Sequence, residues 1–573
     1  MAAQHQAEAA GVSYDLLTEA DLTNVAKLSQ YSALIFPSFQ DVQSSQASAI
    51  ASALQEVVST YHVPIITAGD FMTNDQTGAV LSSTPFADMQ SILGVTNSSY
   101  GTATYTVTPD ATALASKNPI LSGYTAGEII GGASGQFAGT TQGYYTNSGY
   151  EVFEGYGQTA KTIADINIQG GATVAGVVQA TTGGTNTVFA TTDLMGDSNL
   201  LQHVIQNAVF GATPSLTMDI TRFAGVVDSR TDMDQSQYLQ DVSPSSGSPG
   251  IYSALLPILQ QWEQEYDFVG SYYINIGNDA NPATGTGTNW SVSTPIYDQL
   301  VEMGNEIGDH SYTHLIAPPA VDANGNPVPT SNGVSTWDEN TNTLYVTPPA
   351  NGSAPDWTYS YEFGESKTIE EQNIGIGIAG AAVPGANDLA PDSEQILSYF
   401  PSASGGLTGY VNGGWTGVGS GSPNAFGYLS PSDTESVYIA PNITFDFTEV
   451  QYEGKTATQA LADWETLFNQ VSANSETPII VWPWHDYGPT DWPQSGTTGP
   501  GYTEAMYQDF IAYAYNAGYE FVTTEDLAAR IAAEQAATLS ETTSGNVITA
   551  TVTPAASEPD LGAMALNVVN GDG

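Results

Sequence analysis

From residue 1 to about 213, short apolar runs alternate with amphipathic stretches. "YSALIFPS" is a continuous apolar run of the kind a parallel strand buries on both faces. "SSQASAIASALQEVVSTYHV" follows with helical periodicity, and "PIITAGDF" reads as the next strand. Between about 98 and 190 the pattern shifts to short Thr-, Tyr- and Gly-rich segments such as "YGTATYTVT" and "NTVFATTDL", which predict an antiparallel insertion. "SNLLQHVIQNAVFG" closes the region as a helix with a glycine stop.

"TPSLTMDI" reads as a linker into a second unit, from about 214 to 535. Strands are predicted in "TRFAGVVDSR", "YDFVGSYYINIG", "NITFDFTEV", "PIIVWPWHDYG" and "YEFVTTEDL". Helices are predicted in "TPIYDQLVEMGNEIG" and "GYTEAMYQDFIAYAYNAG". This alternation implies a (β/α) barrel, complete or distorted. Residues 316 to 368 are rich in Asn, Pro, Thr and Gly and form a long insertion. The stretch 536–573, with "GNVITATVTP" and "MALNVVNGDG", resembles the first strands of a β-sandwich.

Charge narrows the range of partners. There are 8 Lys+Arg against 60 Asp+Glu, a formal net charge of -52. Nucleic acid and anionic membrane are both met through Lys and Arg, so neither is an expected partner. No apolar run is long enough to span a membrane, and the first residues lack the basic start and apolar core of a secretory leader. Only 12 % of the residues are charged, which argues for an acidic extracellular habitat rather than a saline one. At low pH a chain with 8 Lys+Arg and 6 His gains only a modest positive charge. The absence of cysteine excludes disulfides, thiolate metal sites and cysteine nucleophiles.

Chemistry is expected at three places. "EIGDHSYTHL" holds two of the six histidines, His310 and His314, four positions apart. On a helical turn this spacing puts both imidazoles on one side, within reach of one divalent cation; the plainer reading is a pair of exposed turn histidines. Such a pair needs an anionic ligand as well. "VVDSRTDMDQS" offers Asp228, Arg230, Asp232 and Asp234 with a period of two, which an extended chain would place on one face. Arg230 is one of only three arginines, and its place among aspartates suggests an arranged ion pair. In "VWPWHDYG" a hydrophobic strand ends in His485, with Asp486 beside it to orient the imidazole and raise its pKa, as suits a general acid. His62 and His203 are expected to be structural.

Together these segments resemble the polysaccharide deacetylases of the NodB-homology type, a carbohydrate esterase family. "HSYTH" matches the family's H-[ST]-x-x-H motif, "WHD" stands where its late Leu-x-His motif falls, and "AGYEFVTTEDLAAR" is similar to its closing segment. Two departures stand out. The family's adjacent aspartates are spaced here as "DMD", and its R-x-P motif becomes "AAVPG", with Ala382 where Arg is expected. Arg230 is a candidate to replace that missing charge.

The resemblance implies a distorted (β/α) barrel over 214–535 that removes N-acetyl groups from an amino-sugar polysaccharide. Asp234, His310 and His314 would hold a divalent metal, expected to be zinc. Asp232 would serve as base, His485 held by Asp486 as acid, and Asp228 as the reserve aspartate. Residues 1–213 resemble the class I glutamine-amidotransferase-like, flavodoxin-like fold, without the cysteine that glutaminase activity needs. That fold normally begins with a strand before its first helix, so a truncated or misassigned start is expected here. The combination is similar to divergent secreted deacetylases acting on galactosamine-containing exopolysaccharides. A non-catalytic carbohydrate-binding protein on the same scaffold is the alternative.

Overall fold

The computed structural model describes residues 2–81, 89–130, 145–196, 199–211, 214–277 (except 245), 287–312, 360–384, 398–404, 443–473, 477–493, 501–557 (except 546) and 560–569, with isolated residues, His314 among them, and short strands in the gaps. Most of the insertion expected at 316–368 lies outside the described residues.

The N-terminal region is built on one seven-stranded sheet. Strands β1 (Leu34–Phe36) and β2 (Ile65–Ala68) flank helix α2 (Ala47–Tyr61), after a first helix α1 (Ala2–Ala9). Strands β3 (Thr96–Pro109), β4 (Tyr145–Glu154), β5 (Lys161–Ile168), β6 (Thr173–Ala180) and β7 (Asn186–Phe189) follow, and helix α3 (Leu200–Phe210) closes the region. The spatial order is β1-β2-β7-β6-β5-β3-β4. β1, β2 and β7 run parallel. The other four extend the sheet as antiparallel ribbons, as the Thr/Tyr-rich pattern predicts, whereas "NTVFATTDL", expected in the same insertion, supplies β7, antiparallel to β6 but parallel to β2. His62 caps α2 in a left-handed conformation with Nδ1 on the Gly183 carbonyl. His203 contacts the Ile120 carbonyl and Asn199.

"TPSLTMDI" is not a bare linker. It contains strand β8 (Ser215–Asp219), which pairs antiparallel with the last strand of the chain, Ala565–Val569. The tail is therefore not an unpartnered start of a sandwich. Its hairpin, Thr538–Ser544 with Val547–Thr553, also reaches back, Glu541 accepting from Ser215 Oγ and from the Leu216 N–H.

The second unit is a nine-stranded, mostly parallel sheet. Its centre is β9 (Val226–Met233), followed by helix α4 (Ile251–Tyr266), β10 (Ser271–Ile274), helix α5 (Trp290–Glu302), β11 (Glu306–Asp309), helix α6 (Ser366–Ile374) and β12 (Gly380–Ala382). β13 (Ser402–Ser404), β14 (Ala425–Gly427), β15 (Val437–Ala440), helix α7 (Ala457–Ala473), β16 (Ile479–His485), helix α8 (Glu504–Asn516) and β17 (Glu520–Val522) complete it. The order is β14-β15-β13-β12-β11-β10-β9-β16, with β17 beside the lower half of β9. Beyond β15 the Ile443 N–H donates to the Val481 carbonyl of β16 (2.8 Å), joining the two ends of the sheet into a distorted barrel. Pro483 is tolerated in β16 because, among the described residues, β9 is the one strand that pairs with it. Among the described residues no helix is long and apolar enough to cross a membrane.

The described residues of "NITFDFTEV" form no strand: 443–445 are irregular chain, and Asp446 and Phe447 open a helical turn that continues as a π-helix, Thr448–Tyr452. π-Helical turns are rare and concentrate at functional sites.

Candidate metal centre

The site lies at the carboxyl ends of β9, β11 and β16, the face on which parallel barrels assemble ligand-binding loops. β9 is buried along its whole length. Its alternation sends Asp228, Arg230 and Asp232 to one face. Asp234 does not continue that alternation, because it opens a 3-10 turn, Asp234–Gln237, that lifts it over the strand end.

The histidine pair is not on a helix either. His310 directly follows β11, and the chain then turns through left-handed Ser311 (φ 67) and His314 (φ 54). Such conformations are uncommon outside glycine. Here the backbone turn performs what the helical spacing was expected to do: the two rings sit 5.0 Å apart, edge to face. Asn275, beyond β10, ties this turn down, its Nδ2 donating to the His310 and Ser311 carbonyls.

Asp234, His310 and His314 each offer one ligand atom, all within 4.8 Å of one another. Asp234 Oδ1 is 3.1 Å from His314 Nε2 and 3.5 Å from His310 Nε2. His310 Nδ1 lies 2.9 Å from the Ala382 carbonyl, which assigns the ring proton to Nδ1 and leaves the Nε2 lone pair facing the carboxylates. Two imidazole nitrogens and one carboxylate oxygen, with Asp234 Oδ1 buried and otherwise without a hydrogen bond, suit a divalent ion of the zinc class. Burial alone would raise the Asp234 carboxyl, but His314, His310 and His485 hold it well below the usual carboxylate range. Burial would lower His314, and Asp234 outweighs it, so its pKa is raised.

Asp232 stands beside the triad, its Oδ2 3.5 Å from His310 Nε2. Arg230 grips it with a two-pronged ion pair, Nε to Oδ1 at 2.6 Å and Nη2 to Oδ2 at 2.7 Å. Burial pushes Asp232 up, but Arg230 and then His310 bring it below its ordinary value. The same guanidinium donates to the Val383 carbonyl (3.2 Å) and lies over the Phe445 ring. It thus reaches the end of β12, the strand whose Ala382 lacks the expected arginine.

The expected partner of His485 is corrected. His485 Nδ1 meets Asp446 Oδ1 at 2.6 Å, and the His485 N–H donates to Asp446 Oδ2. Tyr507 adds a third bond to that carboxylate. Asp486 points away, accepting from the Gln235 N–H and the Tyr252 hydroxyl. Burial, then the charge of Asp234, raises Asp486 well above its ordinary value. Burial would lower His485, but Asp446, with help from Asp234 and Asp232, carries it to about 9. Its free Nε2 faces Asp234 Oδ2 at 3.8 Å, and Tyr487 stacks on the ring at 4.8 Å.

Asp228 is excluded from the centre by depth, for it bonds Thr524 at the opposite, amino end of the barrel. Asp446 and Asn275 are the residues that sequence reasoning missed. Asp446 sits in "TFDFTEV", 39 positions before His485, and the one signal was a carboxylate between two phenylalanines in a predicted strand.

No family model and no curated protein matches the sequence. Solved structures similar to it include a protein described as a polysaccharide deacetylase from Mycobacterium smegmatis (14 % identity, 54 % of this chain and 90 % of that one, TM-score 0.32). Another is the Xyl-CE4 domain of a multidomain xylanase from the hindgut metagenome of Trinervitermes trinervoides (14 %, 53 % and 89 %, TM-score 0.25). A third is a β-galactosidase from Bacillus circulans sp. alkalophilus (14 %, 36 % and 26 %, TM-score 0.25). At these TM-scores the likeness assigns no activity, and the functional reading rests on the site's own geometry.

Proposed function

We propose that the chain hydrolyses N-acetyl groups on an extracellular amino-sugar polysaccharide, releasing acetate and a free amine, with a divalent ion, zinc by donor type, held by Asp234, His310 and His314. The observation that carries this reading is the flanking of one His2Asp set by two differently poised groups: an ionised carboxylate, Asp232, and a cationic imidazole, His485. Amide hydrolysis needs that pairing, a proton acceptor for the attacking water and a proton donor for the departing amine.

When bound, the ion supplies Lewis acidity that polarises the acyl oxygen and acidifies the attacking water. Asp232 accepts that water's proton, while Arg230 fixes both its oxygens so that the carboxylate cannot swing away. His485, oriented by Asp446, gives its Nε2 proton to the amine nitrogen as the C–N bond breaks. Half-buried Tyr312 and Tyr361, stacked 4.4 Å apart just beyond His310, offer an aromatic surface for a sugar ring. The acidic surface and the few Lys and Arg fit a neutral or cationic amino-sugar polymer, and galactosamine-containing exopolysaccharide is the narrower candidate.

Acetate release from N-acetylated hexosamine polymers, abolished by chelator and restored by zinc, is the expected result. His310→Ala should lose bound metal and activity together, the latter by about three orders of magnitude. Unchanged metal content in that variant would refute the ligand assignment. Full metal loading with no acetate release from any acetylated hexosamine would refute the reaction.

A further inference from the structure

The N-terminal region has a second cluster of oxygen atoms, independent of the barrel. Its three parallel strands end on one edge, and open α/β sheets take ligands at the carboxyl ends of their strands. Asp70 lies there, just past β2. Edge strand β4 curls back to the same place: the Glu151 N–H donates to the carbonyl of Ala190, just past β7 (2.8 Å). This brings the Glu151 carboxyl against Asp70, to which it hydrogen-bonds. Asn97, at the start of β3, donates from Nδ2 to Asp70 Oδ1 (2.8 Å), and Gln40 from Nε2 to Asp70 Oδ2 (3.1 Å).

Two features mark the cluster as more than a hydrogen-bonded pair. Glu151 is only 2 % exposed, yet among the described residues its Oε2 has no hydrogen-bond partner, and Asn97 Oδ1 is buried without one as well. The groups that set the state of Glu151 are Asp70 and Asn97, with no Lys, Arg or His among them. Two carboxyl groups in contact, one buried and neither paired with a cation among the described residues, are costly unless a proton or a metal ion lies between them. Asp70 and Asn97 are half-buried, so the cluster is open to solvent on one side.

We propose that Asp70, Glu151 and the side-chain oxygen of Asn97 form a divalent-cation site of the calcium class in the N-terminal region. Every donor is oxygen, which selects a hard cation, and water completes the six to eight ligands such an ion takes. A half-turn of the Asn97 amide exchanges its nitrogen for Oδ1, the sort of assignment that a bound cation reverses. Without the ion, burial and the neighbouring Asp70 raise the Glu151 carboxyl to about 9, so a shared proton holds the cation's place.

Equilibrium dialysis of the full chain against ⁴⁵Ca²⁺ at pH 7.5 and 0.15 M KCl tests this. One ion per chain is expected above the diffuse background of an acidic protein, with Kd on the order of 10⁻⁴ to 10⁻³ M, the range of sites with few carboxylates. Glu151→Gln, isosteric with the protonated acid, and Asp70→Asn should each cut site binding at least about tenfold while leaving the background unchanged. Asp70 is half-buried, so its variant serves if Glu151→Gln does not fold. Absence of stoichiometric calcium, or equal binding by the unaltered chain and by the folded variants, would overturn the proposal. Neither outcome bears on acetate release.

Discussion

His485 shows how much one hydrogen bond can decide. Its raised pKa rests chiefly on Asp446, because burial acts in the opposite direction. A group whose folded pKa is raised keeps its proton until pH climbs through that value, so the acid form of His485 is present at neutral pH and lost on the alkaline side. A cation on Asp234 cancels part of the attraction, so in the metal-loaded chain the limb of the proposed reaction falls below 9. Asp446→Asn removes the main support. The alkaline limb of kcat/KM should then move acidward by about 1–3 units, with kcat reduced about 10²-fold or more. Asp486→Asn, at the position the sequence favoured, should leave the limb in place; a matching shift in that variant would mean that the imidazole takes its support from Asp486. The site was legible where its residues are neighbours in sequence, as with His310 and His314, or Asp232 and Asp234. Asp446 was not, because its partnership with His485 forms only when the segment after β15 crosses to β16.

Among elements, the period-two reading of "VVDSRTDMD" was right for β9 and failed at one residue. Where the strand ends, the 3-10 turn rather than alternation decides where Asp234 points. The π-helix Thr448–Tyr452 was hidden for a related reason. Its apolar and polar positions mimic a strand, and what holds it is an ion cluster that alternation does not reveal: Lys455 is clasped by Glu449, Glu453 and Asp463 at 2.5, 2.5 and 2.6 Å. Glu449 is wholly buried, so removing the ammonium leaves its carboxyl without a partner for charge. Lys455→Met should cost about 3 kcal/mol of stability, in the range for breaking a buried pair from one side. It should also loosen Asp446, in the helical turn that leads into this π-helix, so kcat should fall while metal content holds. Denaturant melts and metal analysis of the same preparation check both parts. A stability loss with unchanged kcat would separate the π-helix from the acid.

For the molecule as a whole, the acid-rich composition extends into the barrel interior. Asp228 and Glu306 lie on β9 and β11 at the end opposite the metal centre, bonded to Thr524, Ser271 and the Glu525 N–H. Among the described residues Asp228 Oδ2 and Glu306 Oε1 have no hydrogen-bond partner. Burial raises Asp228 to about 8, Thr524 and Arg230 notwithstanding, and raises Glu306 to about 7. Unfolded carboxyls titrate near 4. Between about pH 4 and 8 the folded chain therefore keeps protons that the unfolded chain has released, and stability falls as pH rises through that window. Asp232 and Asp234 act in the opposite sense, their contribution being lost as pH drops below the ordinary carboxylate range. The metal-free chain should accordingly melt highest in mildly acidic buffer, near pH 4–5, and lose Tm steadily toward pH 8. Asp228→Asn mimics the protonated acid and should flatten part of that decline, which a general easing of surface repulsion would not do. A Tm that holds level or climbs from pH 5 to 8, or a decline identical in Asp228→Asn, would show that these buried acids do not govern acid stability. The second of these outcomes would leave the decline to surface charge alone.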